Sequence, residues 1–245
     1  MERTMLFHTP VFVGPEGFAS VQGQPVLEGR WIEEAIRTAL LYHSLRKHTA
    51  LRHQVKKRLL THVFRKPAAV VEWLDEVLEA HIPLLKELAV QSHIPLPEVQ
   101  FRRMLTLDLK KGEIVADERQ EVFEGVVSFT LEMPDALWVR LRAAGMSYTD
   151  SVADFELRQI KETWPRLVPF YAQLKHDFRS MDIPLRVGLW NRDPYRGKLL
   201  ALYRMKDIRR FLHRTLRFDP VPDTLYIFPR YPATPGWAEL KTGMS

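Results

Sequence analysis

The chain has 245 residues, 46% of them apolar and 27% charged, the composition of a globular protein large enough to need no disulfide or metal staple. It contains no cysteine, which excludes disulfides, thiol nucleophiles, Cys-ligated zinc and iron–sulfur clusters. Lys and Arg number 36 against 30 acids, a formal charge of +6, and 24 of the 36 are arginine, the side chain whose planar fork suits phosphate.

Residues 5–13 read as a strand that carries Pro10, hence an edge or bent strand. Turn chemistry follows at Gly14-Pro15-Glu16-Gly17 and again over residues 22–29. From Arg30, the residues Ile32, Ala35, Ile36, Ala39, Leu40 and His43 recur at three-to-four spacing and predict a helix. Helical character continues to Leu60 and across residues 70–78, with Pro67 as a helix start and a short helix at about 84–92. Alternation then takes over: residues 99–109 and 127–133 predict strands. A helix at 135–143 and a longer one from 149 towards 181, broken by Pro165 and Pro169, come next. Strands at 185–189 and 198–203, a basic helix at 206–214 and a strand at 224–228 complete the pattern. This is an α+β order, and a ferredoxin-like β-α-β-β-α-β core in a single domain, split by a helical insertion at about 49–97, fits it.

Motifs for chemistry are sparse. His43, His48 and His53 are spaced by five and share no helix face, and no His-Glu-x-x-His occurs. His8, beside a strand end, is a candidate general base without a nameable partner. Asp150, Asp154 and Glu156 read as acids near a helix start that complement its dipole. Asp108 reads as an outward residue near a hairpin end. Neither a Walker motif nor Gly-x-Gly-x-x-Gly is present, and no metal or other cofactor is expected. No run of 18 apolar residues is present, and the apolar stretch after Met1-Glu2-Arg3-Thr4 is broken by His8 and Pro10. The expectation is a cytoplasmic protein with no membrane partner.

Charge is clustered. Between residues 35 and 71 there are nine bases and no acid; from residue 192 to 217 there are nine bases and two acids. Such blocks are either solvated helix faces or the footprint of a polyanion. Aromatics interleave with bases at Arg30-Trp31, Trp190-Asn191-Arg192, Tyr195-Arg196 and Arg230-Tyr231. Arginine can grip phosphate while an aromatic ring stacks on an unpaired base, although Trp31 and Trp190 could equally be core residues.

Several segments, in order, resemble the RAMP proteins of type III-A CRISPR effectors. Thr9-Pro10-Val11-Phe12-Val13-Gly14 is similar to the family's Thr-Pro-x-x-x-Gly strand end. The run Val26-Leu27-Glu28-Gly29-Arg30-Trp31-Ile32-Glu33-Glu34-Ala35-Ile36-Arg37-Thr38-Ala39-Leu40-Leu41 resembles its first-helix motif. Glu121 to Phe129 resembles its hairpin strand, Leu185 to Lys198 its late glycine-containing loop, and Pro235-Gly236-Trp237-Ala238-Glu239-Leu240 its terminal motif. The branch most similar is that of the fifth Csm subunits.

The resemblance implies a RAMP fold on an RRM-like core and no nuclease activity. It also implies a subunit that caps the 3′ end of the crRNA filament, beside target RNA and packed on the adjacent backbone subunit. An implied RNA site comprises Gly14, Gly29, Arg30, Trp31, Arg37, Gly188, Arg192, Lys198 and Arg230. Arg37 is expected in the RNA groove, the alternative being an ion pair with a nearby carboxylate. Glu33-Glu34 stand where the family has Lys-Gly, Arg30-Trp31 where it has two serines, and Asn191, Arg192 and Asp193 replace loop glycines. A guide differs for every target, so its holder should grip phosphate and leave the letters to pairing. The enzymatic alternative is a RAMP endoribonuclease that processes precursor crRNA, with His8 or another histidine as base.

Overall fold

The computed structural model describes residues 1–64, 66–189, 197–206, 208–210, 212 and 224–242. Its centre is the strand β1 (Glu2–Val11), whose Met5, Phe7 and Val11 are buried. Pro10 sits in this central strand because the register slips there: Phe7 faces Gly125 and Val11 faces Phe123, so the strand bulges over residues 8–10 where no ladder N–H is needed. The Pro10 carbonyl still accepts the Gly236 N–H at 3.0 Å.

A hairpin, β2 (Ala19–Val21) and β3 (Gln24–Glu28), leads into helix α1 (Arg30–Lys47). Ile32, Ala35, Ile36, Ala39 and Leu40 bury the stripe that the sequence spacing predicts. Helices α2 (Thr49–Thr61) and α3 (Pro67–His81) follow, and α3 starts on its proline as expected. The short helix predicted at 84–92 is instead a 3₁₀ turn (Pro83–Glu87) and a two-residue strand, β4 (Ala89–Val90). That strand adds to the far end of a long neighbour, pairing Ala89 with Glu132, and β5 (His93–Pro95) closes a small sheet of order β2-β3-β5.

Strands β6 (Gln100–Asp108) and β7 (Glu113–Glu132) form an antiparallel hairpin. Asp108 closes it, its carboxylate accepting the N–H groups of Lys110 and Lys111 at 2.8 and 2.9 Å. β7 begins fourteen residues before the predicted strand because its first half is largely exposed on both faces and carries no apolar alternation.

Helix α4 runs unbroken over Asp135–Ile160, where the sequence predicts two helices. Gly145 is not a break: α4 lies so close to the next strand that a Cβ there would sit 2.5 Å from the Pro184 carbonyl oxygen. Asp150, Asp154 and Glu156 are therefore mid-helix rather than at a start. The first two bind Lys175, and Glu156 meets Arg186 and the Tyr171 hydroxyl at the buried seam of α4, the helix that follows it and the sheet.

After α5 (Val168–Asp177), strand β8 (Ile183–Arg186) enters the sheet. The strand predicted at 198–203 is a helix, α6 (Lys198–Tyr203); Leu199, Leu200, Ala201 and Leu202 are all buried, and an apolar run of that length carries no period to distinguish the two. Residues 208–210 are helical, and the rest of the predicted basic helix lies largely outside the described residues. β9 (Thr224–Ile227) and the unpredicted β10 (Trp237–Leu240) complete the main sheet, whose order is β8-β10-β1-β7-β6-β9, antiparallel throughout. The fold is α+β, with α1 packed on α4 and both on the sheet. No helix among the described residues is long and apolar enough to cross a membrane.

Candidate nucleic-acid interface

Around the start of α1 the structure gathers several residues expected to hold RNA, and it turns most of them inward. Gly29 donates its N–H to the Ser92 carbonyl at 2.9 Å, and a Cβ there would collide with the Gln91 carbonyl oxygen. Trp31 is buried. Arg30 is exposed, ion-paired to Glu28 and laid over the Trp31 ring.

Arg37 donates from Nε to Glu33 Oε1 at 2.8 Å and from Nη1 to Glu79 Oε1 at 2.9 Å. Burial pulls its guanidinium pKa down, but the hydrogen bonds to Glu33 and Glu79 outweigh that and hold it above the ordinary value. The Lys198 side chain is 0% exposed; its Nζ lies 2.5 and 2.7 Å from the two Asp75 oxygens and 2.9 Å from Glu34 Oε2. Burial raises the Glu34 carboxyl above its usual range, although Lys198 pulls the other way. The two glutamates that stand in place of Lys-Gly are thus the partners of Arg37 and Lys198, while Asp75 and Glu79 reach in from α3. Four carboxylates and two cations pin α1, α3 and α6 together.

Gly14 and Gly188 meet at a second junction. Both have positive φ, +137° and +114°, and a Cβ on Gly188 would lie 2.5 Å from the Phe12 carbonyl oxygen. Leu189 donates its N–H to that same oxygen at 3.0 Å. Arg192 and Trp190 lie outside the described residues.

The two basic blocks, more than a hundred residues apart in sequence, come together. Arg46 and Arg52 from the first and Arg204 and Lys206 from the second line one shallow groove of about 580 Å³. Arg46 is shared with an adjoining cleft of about 850 Å³, which also receives His43, Lys47, Lys175, His176, Arg179 and one acid, Asp150. Lys175 is held by Asp154 at 2.5 Å and Asp150 at 3.3 Å.

The groove carries signs of uncompensated positive charge. Burial, with Arg158 and Arg209 nearby, holds the Arg204 guanidinium below its usual pKa, although Tyr42 and Asp154 oppose this. Burial, then Lys47, His48 and Arg46, holds the His43 imidazole below its usual value. The Nδ1 of His43 is buried without a hydrogen-bond partner. Phosphate oxygens along this surface would oppose the cation–cation repulsion that contributes to both shifts. Sequence reasoning found the blocks but singled out none of these groove residues; the acid-free run from 35 to 71 was the signal.

Arg230 lies elsewhere, at the tip of a turn where the Phe228 N–H bonds the Ala233 carbonyl at 2.9 Å. It shares a cleft with His8, whose Nε2 is 3.3 Å from Glu239 Oε2. Glu239 is itself buried and also binds Lys241 and the Asp182 N–H, at 2.8 and 2.7 Å.

No family model matches the chain. An uncharacterized protein of Aquifex aeolicus is 29% identical over 240 residues, covering 97% of this chain and 98% of its own. A partial match, 26% over 159 residues, covers 54% of this chain and 66% of the ribosomal RNA small subunit methyltransferase G of Novosphingobium aromaticivorans. Among the described residues the sheet is antiparallel throughout, whereas a doubly wound nucleotide-binding fold is built on a mostly parallel one.

Among solved structures, a chain of a Csm–crRNA–target RNA ternary complex of a type III-A CRISPR-Cas system superposes with a TM-score of 0.56 at 16% identity, over 92% of this chain and 75% of that one. Csm5 of T. onnurineus superposes with a TM-score of 0.51 at 17% identity, over 91% and 73%. Over nine-tenths of its length the chain therefore shares the fold of Csm5, and the resemblance noted in the sequence holds at the level of fold.

Proposed function

We propose that this chain is a non-catalytic crRNA-binding subunit of a type III-A CRISPR effector, capping the 3′ end of the guide and packing on the adjacent backbone subunit in the cytoplasm. The observation that carries the reading is the convergence of two sequence-remote basic blocks on one groove, in a chain with the Csm5 fold. Strands β10-β1-β7-β6, with α1 after the first in sequence and α4 after the third, support a ferredoxin-like core inside a single RAMP domain. Helices α2 and α3 form most of the helical insertion.

In this reading Arg46, Lys47, Arg52, Arg204 and Lys206 grip the ribose-phosphate thread whatever its sequence. Arg30 and Arg230 join them as exposed contacts. Gly14, Gly29, Trp31 and Gly188 shape the backbone beneath, and Arg37 and Lys198 act through the carboxylates that they hold. The endoribonuclease reading would use His8, which Glu239 orients.

Reconstitution of the effector with and without this chain, followed by nuclease digestion, tests the proposal. The 3′ end of the guide is protected only when the chain is present. Equal protection without it, or clean cleavage of precursor RNA at one repeat position by the chain alone, would overturn the reading.

A further inference from the structure

A second surface carries a chemistry that the basic groove lacks. β9 covers only Leu105–Asp108 of β6, so among the described residues no strand pairs with the start of β6 on its outer side. The chain leaves β9 at Phe228, turns, and returns at Ala233, which stands the Arg230-Tyr231 tip beside the uncovered stretch. Between them lies a cleft of about 810 Å³, lined among others by Phe101, Arg102, Arg103, Arg119, Arg230 and Tyr231.

Two observations at this cleft lack a folding reason. Phe101 is 61% exposed and Tyr231 69% exposed, large rings left in water in the lining of one concavity. Arg103 stands directly opposite Arg119 across the β6–β7 ladder, a like-charge pair that costs stability by itself. Local acids offset part of the charge: Arg103 binds Asp117 at 2.5 Å and Arg102 binds Glu124, while Arg119 donates to the Phe101 carbonyl at 3.3 Å. Arg230 lies over the Tyr231 ring, its guanidinium carbon 5.7 Å from the centroid. Exposed rings with guanidiniums beside or over them are what an unpaired nucleotide requires, a base stacked on a ring and its phosphates on the arginines.

We infer that Phe101 and Tyr231 form a stacking site for one or more unpaired nucleotides of single-stranded RNA, with Arg103, Arg119 and Arg230 on the flanking phosphates. The site rests on the RNA-binding reading above and deepens it. The basic groove holds backbone alone, and this cleft requires bases, though not particular ones.

The experiment uses the full chain and a fluorescein-labelled twelve-nucleotide oligouridylate, with a second probe of the same length whose ribose-phosphate is intact but whose bases are removed. Wild-type protein binds the base-bearing probe more tightly, and the Phe101→Ala/Tyr231→Ala variant loses that preference, weakening by about tenfold for each stacked base. Its affinity for the abasic probe stays at the wild-type level. Both side chains are exposed, so the variant melts like the wild type. Phe101→Tyr/Tyr231→Trp, which keeps the rings, retains the preference.

Unchanged affinity of the alanine variant for oligouridylate would overturn the stacking site while leaving the RNA-binding reading intact. Failure of the wild type to bind either probe would overturn both. Loss of assembly with other Csm subunits at unchanged RNA affinity would assign the cleft to a protein strand instead.

Discussion

The two ends of α1 use the same residue type for opposite purposes. Near its start, Arg37 meets Glu33 and Glu79, and Lys198 is enclosed by Glu34 and Asp75. Near its end, Arg46 faces Arg52, Arg204 and Lys206 across a groove, and Ser147 Oγ at 3.2 Å is its hydrogen-bond partner. A cation surrounded by carboxylates holds elements together; a cation surrounded by cations stores repulsion that a polyanion can relieve. What separates the ends is α3, which brings Asp75 and Glu79 to the first and no acid to the second.

The comparison can be broken most readily at Lys198. Replacing it with methionine strands Asp75 and Glu34, which should cost about 3 kcal/mol in denaturant unfolding. RNA affinity of the folded protein should stay near wild type. An equal or larger loss of RNA affinity would mean that Lys198 leaves its carboxylates for phosphate.

At the other end, Arg46→Ala with Lys206→Ala should weaken single-stranded RNA binding by about tenfold per residue, or roughly 1.4 kcal/mol each. The slope of log affinity against log salt should fall by about 1.4, since each phosphate contact on a single strand contributes about 0.7. Both residues are exposed, so stability should not change.

Gly29→Ala sharpens the structural side. A methyl group forced against the Gln91 carbonyl should destabilise by about 1–3 kcal/mol, visible as a lowered melting temperature.

The smallest effect concerns acid. His43 has a folded pKa below its ordinary value of 6.5, so the unfolded chain takes up the proton first. The stability it contributes is complete above pH 6.5 and is lost as pH falls through the lowered folded value. Bound RNA should blunt that loss, because phosphate favours the protonated ring; His43→Gln should remove the difference in pH dependence between free and bound protein. Melting curves between pH 7.5 and 5 with and without RNA read this directly.

The sequence made α1, β6 and the start of α3 legible because their apolar residues keep a period or a proline marks the entry. It hid the first half of β7, largely exposed on both faces, and α6, apolar all round, since neither has one buried face to detect. Gly145 looks like a break in one dimension and is a contact in three. The basic blocks were legible as composition, yet which cations are neutralised was not. Arg37 and Lys198 find Glu79 and Asp75 at separations of 42 and 123 residues, and only the docking of α3 brings them there. Arg46, Arg52, Arg204 and Lys206 were hidden for the same reason, because only the folded chain brings the two blocks to one groove.

The most direct test is chemical footprinting of lysines and arginines by mass spectrometry, with and without single-stranded RNA. The account predicts that Arg46, Lys47, Arg52, Arg204 and Lys206 become protected when RNA is present, while Lys198 is unreactive in both states. A groove that stays fully reactive with RNA bound, or protection confined to the far side of the molecule, would contradict it.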